Sequence, residues 1–371
     1  MIRVLICDDS AMMRRTLKKM IEADPGLTVA GTARDGDDAI EKARDLRPDV
    51  ITMDINMPGT DGITAMQYIV DEKIAPVLMV SSLTQEGAET TFEALALGAF
   101  DFVGKPGGTV TMDMSSVAVE LTQKLKAACK KGTTSRLTRK RTPIRQKSPG
   151  KAARKTPARK TSTRKASIRG TPRSKSTRKK SIGYKAVAIG ISTGGPKTIF
   201  DVLPYLPQEL NAAIFMVQHM PPTFTRTFAQ RLDKNCAMNC VEVEAGMTVE
   251  PGTIYLGRGG MHLCLRQNLT GKIIIRTPNK PETQFIPGVN IMMESVLSIF
   301  GKDTVGVEMT GMGDDGADGM VKIKESGGIT IAESEETAIV FGMPREAIER
   351  GGADIIIPSY DIADEIIKAV F

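Results

Sequence analysis

The sequence predicts an α/β protein of two doubly wound domains, each built on a mostly parallel sheet, joined by a long basic segment. Three observations carry this. Short apolar runs alternate with single helix-like stretches from residue 3 to residue 129, and strands separated by single helices imply a parallel sheet. The same alternation resumes after residue 184. Between the two, residues 131–181 hold 20 Lys and Arg and no Asp or Glu. A length of 371 residues suits two or three domains at roughly 100–200 residues each.

The first domain is expected over residues 1–122. Its predicted strands are Arg3 to Cys7, Leu27 to Ala33, Val50 to Met53, Val77 to Ser81 and Asp101 to Val103. The stretches between them read as helices: Ser10 to Ala23, Gly36 to Asp45, Gly62 to Glu72 and Gly87 to Leu97, with a last helix from Val117 to Cys129. In the second domain, expected over residues 184–371, Lys185 to Ile191, Ala212 to Val217 and Thr304 to Met309 read as buried strands. A strand-rich stretch from Val241 to Arg276 interrupts the alternation and leaves room for antiparallel pairs.

The connecting region, 123–183, comprises a helix end and the basic run. With almost no large apolar residues, the run cannot bury enough surface to offset ordering entropy, and is expected to be disordered. It reads either as a self-repelling spacer or as a weak, salt-sensitive binder of nucleic acid, anionic lipid or an acidic partner. The chain's net charge of +7 comes entirely from it; the remainder, with 30 basic and 43 acidic residues, is acidic.

No apolar run approaches the ~20 residues that a membrane helix needs. Met1-Ile-Arg-Val-Leu-Ile lacks the layout of a signal peptide, so a cytoplasmic location is expected. Five scattered cysteines (Cys7, Cys129, Cys236, Cys240, Cys264) argue against a disulfide framework. Cys236 and Cys240 with His262 lack a second paired ligand set, so free thiols are the better reading than a metal site.

Two groups of residues carry chemistry. Asp8 and Asp9 follow the first strand and Asp54 follows the third, so three carboxylates would crowd neighbouring strand ends. Such crowding calls for a counter-charge, and Mg²⁺, a hard cation with oxygen ligands, fits. A phosphoryl group could then transfer to one carboxylate, with Ser81 offering a hydroxyl and Lys105 a cation at the next strand ends. Asp9 alone could also be read as a helix cap.

In the second domain Ser192, His219 and Asp315 each follow a buried strand. Ligands of open parallel sheets bind outside the carboxyl ends of strands, so the three could converge there. Together they are the set needed to activate a serine for acyl transfer. Thr193-Gly194-Gly195-Pro196 permits a tight turn into a helix N-terminus, which favours developing negative charge. The backbone N–H of Met312 is a candidate oxyanion donor. Taken singly, Ser192 reads as a helix cap and His219 as a packed histidine; the joint pattern favours the triad. Gly311-Met-Gly313-Asp-Asp-Gly316 also matches a dinucleotide-binding pattern, with Glu333 or Glu335 as the ribose acid, but Asp314 and Asp315 would repel a pyrophosphate.

Asp8-Asp9-Ser10, the run Met53 to Gly62, Val80-Ser81-Ser82 and Lys105-Pro106 closely resemble a response-regulator receiver domain. The resemblance implies that Asp54 accepts phosphate from a histidine kinase. It also implies that Asp8, Asp9 and Asp54 bind Mg²⁺, that Lys105 contacts the phosphate, and that Ser81 and Phe102 move on activation. Ile189 to Pro196, Gln218-His219-Met220-Pro221 and Met309 to Met320 resemble the chemotaxis protein-glutamate methylesterase (CheB) family. That resemblance implies hydrolysis of glutamate γ-methyl esters on methyl-accepting chemoreceptors, releasing methanol, and deamidation of receptor glutamines. It places Ser192, His219 and Asp315 on the family triad and Met312 on its oxyanion donor, with no cofactor for the esterase. Three features depart from the family pattern: the long basic linker, Gly257-Arg258-Gly259-Gly260 in place of a Pro-containing turn, and the extra carboxylate of Asp314.

The sequence therefore reads as a phosphorylation-controlled serine esterase whose unphosphorylated receiver partly covers the crevice. A phospho-switched binding module acting through the basic run on nucleic acid or membrane is the alternative.

Overall fold

The computed structural model describes residues 1–105, 114–130 and 182–371, so the basic run 131–181, with its expected disorder, lies outside the described residues. The first domain runs β1 (Ile2–Cys7), α1 (Ala11–Glu22), β2 (Leu27–Ala33), α2 (Gly36–Leu46), β3 (Val50–Asp54), α3 (Gly62–Asp71), β4 (Val77–Ser81), α4 (Gln85–Leu97), β5 (Asp101–Gly104) and α5 (Met114–Lys130). The helices start on short polar caps: Ser10, Asp35, Asp61 and Thr84 each accept a backbone N–H two or three residues into the first turn. Because Ser10 caps α1, Asp9 stays clear of that role. The sheet order is β2-β1-β3-β4-β5, with every pairing parallel. β3, β4 and β5 are buried along their whole length, which is why they are rich in apolar residues on both faces. The chain reverses its direction of winding between β1 and β3, so their carboxyl ends form the crevice. α5 packs Leu121, Leu125 and Ala128 against this sheet, so the first domain's core extends along that helix.

The second domain runs β6 (Lys185–Ile191), α6 (Gly195–Thr198), β7 (Ala212–Gln218), α7 (Pro222–Asn235), β8 (Asn239–Glu242), β9 (Thr253–Leu256), β10 (Cys264–Gln267), β11 (Ile273–Arg276), α8 (Val289–Phe300), β12 (Thr304–Glu308), α9 (Ala317–Glu325), β13 (Ile329–Glu333), α10 (Met343–Glu349), β14 (Ile355–Ile357) and α11 (Ser359–Val370). Seven strands form one sheet in the order β14-β13-β12-β6-β7-β9-β8, and all six pairings are parallel. Of the strand-rich stretch after residue 238, β8 and β9 join this sheet, and β10 and β11 form a separate antiparallel pair. β6 lies between β12 and β7, so the carboxyl end of β6 is the switch point of the second crevice.

The two domains meet through α4 and α7 and through the start of β5. Phe102 of β5 stacks on Phe224 of α7, with ring centroids 4.6 Å apart and planes 11° from parallel. Phe92 stacks on Phe228 at 5.3 Å and meets Phe224 edge-on at 6.0 Å. Arg231 donates to Phe92 O at 3.0 Å and covers the Phe92 ring. All four phenylalanines are buried.

Candidate functional site

Ser192 follows β6, His219 follows β7, and Asp315 lies in the turn after β12, so the three central strands of the second sheet deliver the predicted set to one place. Ser192 Oγ is 3.1 Å from His219 Nδ1, and His219 Nε2 is 2.9 Å from Asp315 Oδ2. A carboxylate only accepts, so the ring proton sits on Nε2, and Nδ1 is left to accept from the Ser192 hydroxyl. Burial opposes ionisation of Asp315, but hydrogen bonds from His219 and from the N–H groups of Asn290 and Val289 outweigh it and hold the carboxyl below its usual range. Those N–H groups lie 2.9 Å from Oδ1 and 2.7 Å from Oδ2. They are the first two of α8, which starts on Gly288 and has no side-chain cap of its own. Asp315 therefore fills the capping role at the positive end of a helix.

Neighbouring groups fix the turn that carries Ser192. Gln218, buried, donates to Ser192 O at 2.9 Å. Thr310 Oγ1 donates to Thr193 O at 2.8 Å. Gly194 starts α6 with φ +78°, a conformation that favours glycine, and a Cβ there would strike Ile339 at 2.5 Å. Pro196 sits in the first turn of α6, as its position in the sequence suggests. Phe285 stacks on the His219 ring at 4.2 Å and 13°. Met312 lines the same cleft, of about 520 Å³. One wall of that cleft comes from the first domain: Val119, Glu120, Gln123 and Lys124 of α5.

The first domain also touches the Ser192 turn directly. Asp101 Oδ2 accepts from Gly194 N–H at 3.0 Å, and Lys197 Nζ donates to Ala99 O at 2.9 Å. Lys124 lies 3.6 Å from Asp101 Oδ2 and 2.8 Å from Glu120, and donates to Phe102 O at 2.7 Å. Burial would discharge Lys124, but the two carboxylates outweigh it and keep the ammonium protonated.

The dinucleotide reading fails on its turn and loses one of its two candidate acids. Glu333 is buried and accepts from Thr310 N–H and Thr337 Oγ1, so it faces no ligand. The glycine-rich turn hands Asp315 to His219, while Asp314 pairs with Arg350 at the surface. Asp314 thus leaves the triad alone, and Arg350 is held more firmly protonated by it and by Asp318. In the Gly257–Gly260 turn, Gly259 passes so close to α7 that a Cβ would lie 2.5 Å from Pro222 N. Cys236 and Cys240 are buried free thiols, and His262 bonds to Pro281 and Gly288 instead.

At the first crevice Asp8, Asp9 and Asp54 bring carboxylate oxygens within 4.8 Å of one another, the one such cluster among the described residues. Asp8 and Asp54 are buried; Asp9 is exposed. Lys105 Nζ lies 2.7 Å from Asp54 Oδ2 and 3.1 Å from Asp8 Oδ2. Burial raises the Asp54 carboxyl above its ordinary range; Lys105 pulls it down and Asp8 adds to the rise. Two buried acids sharing one lysine, with a third carboxylate at the rim, suit a divalent cation. Ser81 turns away from Asp54: its hydroxyl accepts from Thr91 Oγ1 at 2.7 Å and reaches Gly87 O at 3.2 Å.

The residues that sequence reasoning missed are Asp101, Lys124, Lys197 and Phe224 at the domain contact, and Gln218 and Phe285 around the triad. Asp101 carried one usable signal, an acidic residue opening an apolar strand.

Comparison with known proteins agrees with both domains. The family model described as CheB methylesterase matches residues 187–366, and that of the response regulator receiver domain matches residues 4–113. A protein of Syntrophomonas wolfei, named protein-glutamate methylesterase/protein-glutamine glutaminase 3, is 55% identical over 100% of this chain and 99% of its own. A protein of Caldanaerobacter subterraneus, named protein-glutamate methylesterase/protein-glutamine glutaminase, is 48% identical over 100% of this chain and 96% of its own. Among solved structures, the CheB methylesterase catalytic domain of Thermotoga maritima is 39% identical, with a TM-score of 0.50, and covers 51% of this chain and 100% of that one. No described helix is long and apolar enough to cross a membrane. With full-length relatives and both domain families matched, the chain belongs to the protein-glutamate methylesterase/protein-glutamine glutaminase family, in which a response-regulator receiver is joined to a CheB esterase.

Proposed function

We propose that Ser192, His219 and Asp315 carry the reaction of this phosphorylation-regulated methylesterase and deamidase. The observation that supports it best is the continuous hydrogen-bonded line from Ser192 Oγ through His219 to Asp315. The substrate is the γ-methyl ester of a glutamate on a methyl-accepting chemoreceptor. Ser192 Oγ attacks the ester carbonyl as His219 Nδ1 takes its proton, and Asp315 steadies the imidazolium. The Met312 N–H receives the developing oxyanion. His219 returns the proton to the departing methoxide, methanol leaves, and an acyl-serine remains. Water, deprotonated by His219, then attacks the acyl carbon; the acyl–oxygen bond to Ser192 breaks, His219 returns the proton to Ser192 Oγ, and the glutamate is freed. A receptor glutamine follows the same course with ammonia as the leaving molecule. The esterase step draws on no cofactor in this scheme.

The receiver is proposed to take its phosphoryl group from a chemotaxis histidine kinase onto Asp54. Asp8, Asp9 and Asp54 would hold Mg²⁺, which neutralises charge on the phosphoryl oxygens. Lys105, now paired with Asp54 and Asp8, would swing to a phosphoryl oxygen. Ser81 and Phe102 are the residues proposed to move with it. Phe102 stands on Phe224 and its neighbour Asp101 on the nucleophile turn, so movement of β5 would disturb both the domain contact and the wall of the cleft. The proposed domain limits are 1–122 and 184–371 with 123–183 connecting them, the last turns of α5 packing on the first domain although they open the connection, and the basic run could meet a weak anionic partner. The proposed location is the cytoplasm, where five free thiols suit a reducing compartment.

The test is methanol release from methylated receptor membranes, with and without a small phosphodonor and Mg²⁺. Release should rise with phosphodonor, lose that rise in Asp54→Ala, and vanish in Ser192→Ala. Release at the normal rate from Ser192→Ala would end the triad assignment.

A further inference from the structure

The chain has two histidines, and the reaction uses only His219. We propose that the other, His262, is a positioning residue that holds both partners of the catalytic base, the carboxylate of Asp315 and the ring of Phe285. This inference rests on the triad reading above.

His262 lies between β9 and β10 and is fully buried. Its backbone N–H donates to Pro278 O at 2.7 Å. Its Nδ1 is 3.1 Å from Gly288 N–H, which can only donate, so Nδ1 carries a lone pair. The ring proton therefore sits on Nε2, which donates to Pro281 O at 2.8 Å. One residue thus ties the segment 278–288 at three points, and Gly260 N–H adds a fourth tie to Ile286 O at 2.9 Å. Both ring nitrogens are committed, which an apolar filler of similar size could not reproduce.

The tied segment serves the catalytic pair from two sides. Phe285, near its middle, lies flat on the His219 ring. Gly288, at its end, is the residue on which α8 starts, and the next two N–H groups are the ones that hold Asp315. Loss of the Gly288 bond frees the start of α8, and Asp315 moves with it. A misplacement of about 1 Å in a reacting group can cost about 10²-fold in rate.

The test compares His262→Leu, His262→Asn and His262→Gln in the full-length protein, with methylated receptor membranes, phosphodonor and Mg²⁺. An Asn side chain can put an acceptor where Nδ1 stands, and so keep the Gly288 bond; Gln can put a donor where Nε2 stands, and so keep only the Pro281 bond. The expected result is a kcat lower by about 10²-fold in His262→Leu with KM little changed, recovered largely by Asn and less by Gln. Thermal unfolding is measured alongside. A kcat that follows melting temperature across the set, rather than the ability to accept from Gly288, would overturn the proposal. So would a normal kcat in His262→Leu. If His262→Leu does not fold, equal rates in the Asn and Gln variants overturn it. Ser192→Ala runs in the same assay: methanol release there refutes the triad itself, whereas a silent Ser192→Ala beside fully active His262 variants refutes only the positioning role.

Discussion

Asp101 of the receiver accepts a hydrogen bond from the backbone N–H of Gly194, two residues after the nucleophile Ser192. The bond is buried, 3.0 Å long, and backed by the Lys124 ammonium. A carboxylate of one domain is thus tied to the turn of the other that carries the reacting oxygen. The contact joins two effects that could otherwise be separate: α5 walls the cleft, and β5 grips the nucleophile turn.

Asp101→Ala should therefore raise the rate of the unphosphorylated enzyme. A hydrogen bond to a charged group contributes about 1.5–3 kcal/mol, and losing it also leaves Lys124 with one carboxylate fewer. A rise of roughly tenfold in methanol release without phosphodonor is expected, with the phosphodonor-stimulated rate little changed. An unchanged basal rate would mean that the bond is incidental to control.

Phe224→Leu should act in the same direction by removing the ring on which Phe102 stands. Such pairs contribute roughly 0.5–1.5 kcal/mol beyond the area they bury. The expected change is a basal rate several-fold higher and a smaller ratio of stimulated to basal release. A basal rate and ratio equal to those of the unmodified enzyme would count against the aromatic contact as part of the control.

Asp315→Asn should lower kcat by about 10⁴-fold, because an amide favours the wrong histidine tautomer. It should also lower stability in a pH-dependent way. The folded-state pKa of Asp315 is depressed, so its contribution is complete above the unfolded value near 3.9 and is lost as pH falls through the lower folded value. Melting temperatures of the two proteins should differ at pH 7 and converge as pH falls below the depressed folded-state value. A difference that persists undiminished in acid would show that the loss is not one of charge.

Asp54 behaves in the opposite sense. Its folded-state pKa is raised, chiefly by burial, so its ionisation costs stability as pH rises above the unfolded value. Asp54→Asn should melt at a higher temperature than the unmodified protein at pH 7 without divalent cation. Added Mg²⁺ should stabilise the unmodified protein by mass action and the variant much less. A variant that melts lower, or responds equally to Mg²⁺, would contradict this account of the acidic crevice.

Glu308 at the end of β12 is fully buried behind the triad, and burial, then Asp315, raises its pKa well above the usual carboxylate range. Its ionisation is disfavoured, and Glu308→Gln should fold with at least normal stability. Gly316→Ala should not: its φ is +111° and a Cβ would lie 2.0 Å from Glu308 Oε2. A loss of roughly 2–4 kcal/mol is expected, read from denaturant unfolding. A variant of normal stability would show that the Glu308 side chain can move aside.

Much of the fold was legible because its strands are buried on both faces. The runs at Val77–Ser81 and Lys185–Ile191 have the observed limits, since an unbroken apolar run leaves few places for a strand to end. Helix starts were less certain: α4 begins at Gln85 rather than Gly87, because Thr84 is the residue that caps it. The orientation of β8, β9, β10 and β11 could not be read, because strand pairing depends on partners distant in the chain. Asp8, Asp9, Asp54, Ser192, His219 and Asp315 were found because each ends or follows a strand, and parallel strands bring their carboxyl ends to one edge.

The sequence by itself determined two parallel-sheet domains, the acidic crevice and the serine, histidine and aspartate, since these follow from local periodicity and from residues placed at strand ends. Only the tertiary structure decided which contacts hold them: Asp101 on Gly194, Phe102 on Phe224, α8 on Asp315, and His262 on the segment that carries Phe285. These contacts join residues far apart in the chain, and several are made by a backbone N–H that every residue but proline carries. No side-chain pattern marks such a donor, so its role emerges only when the packed domains bring an acceptor to it.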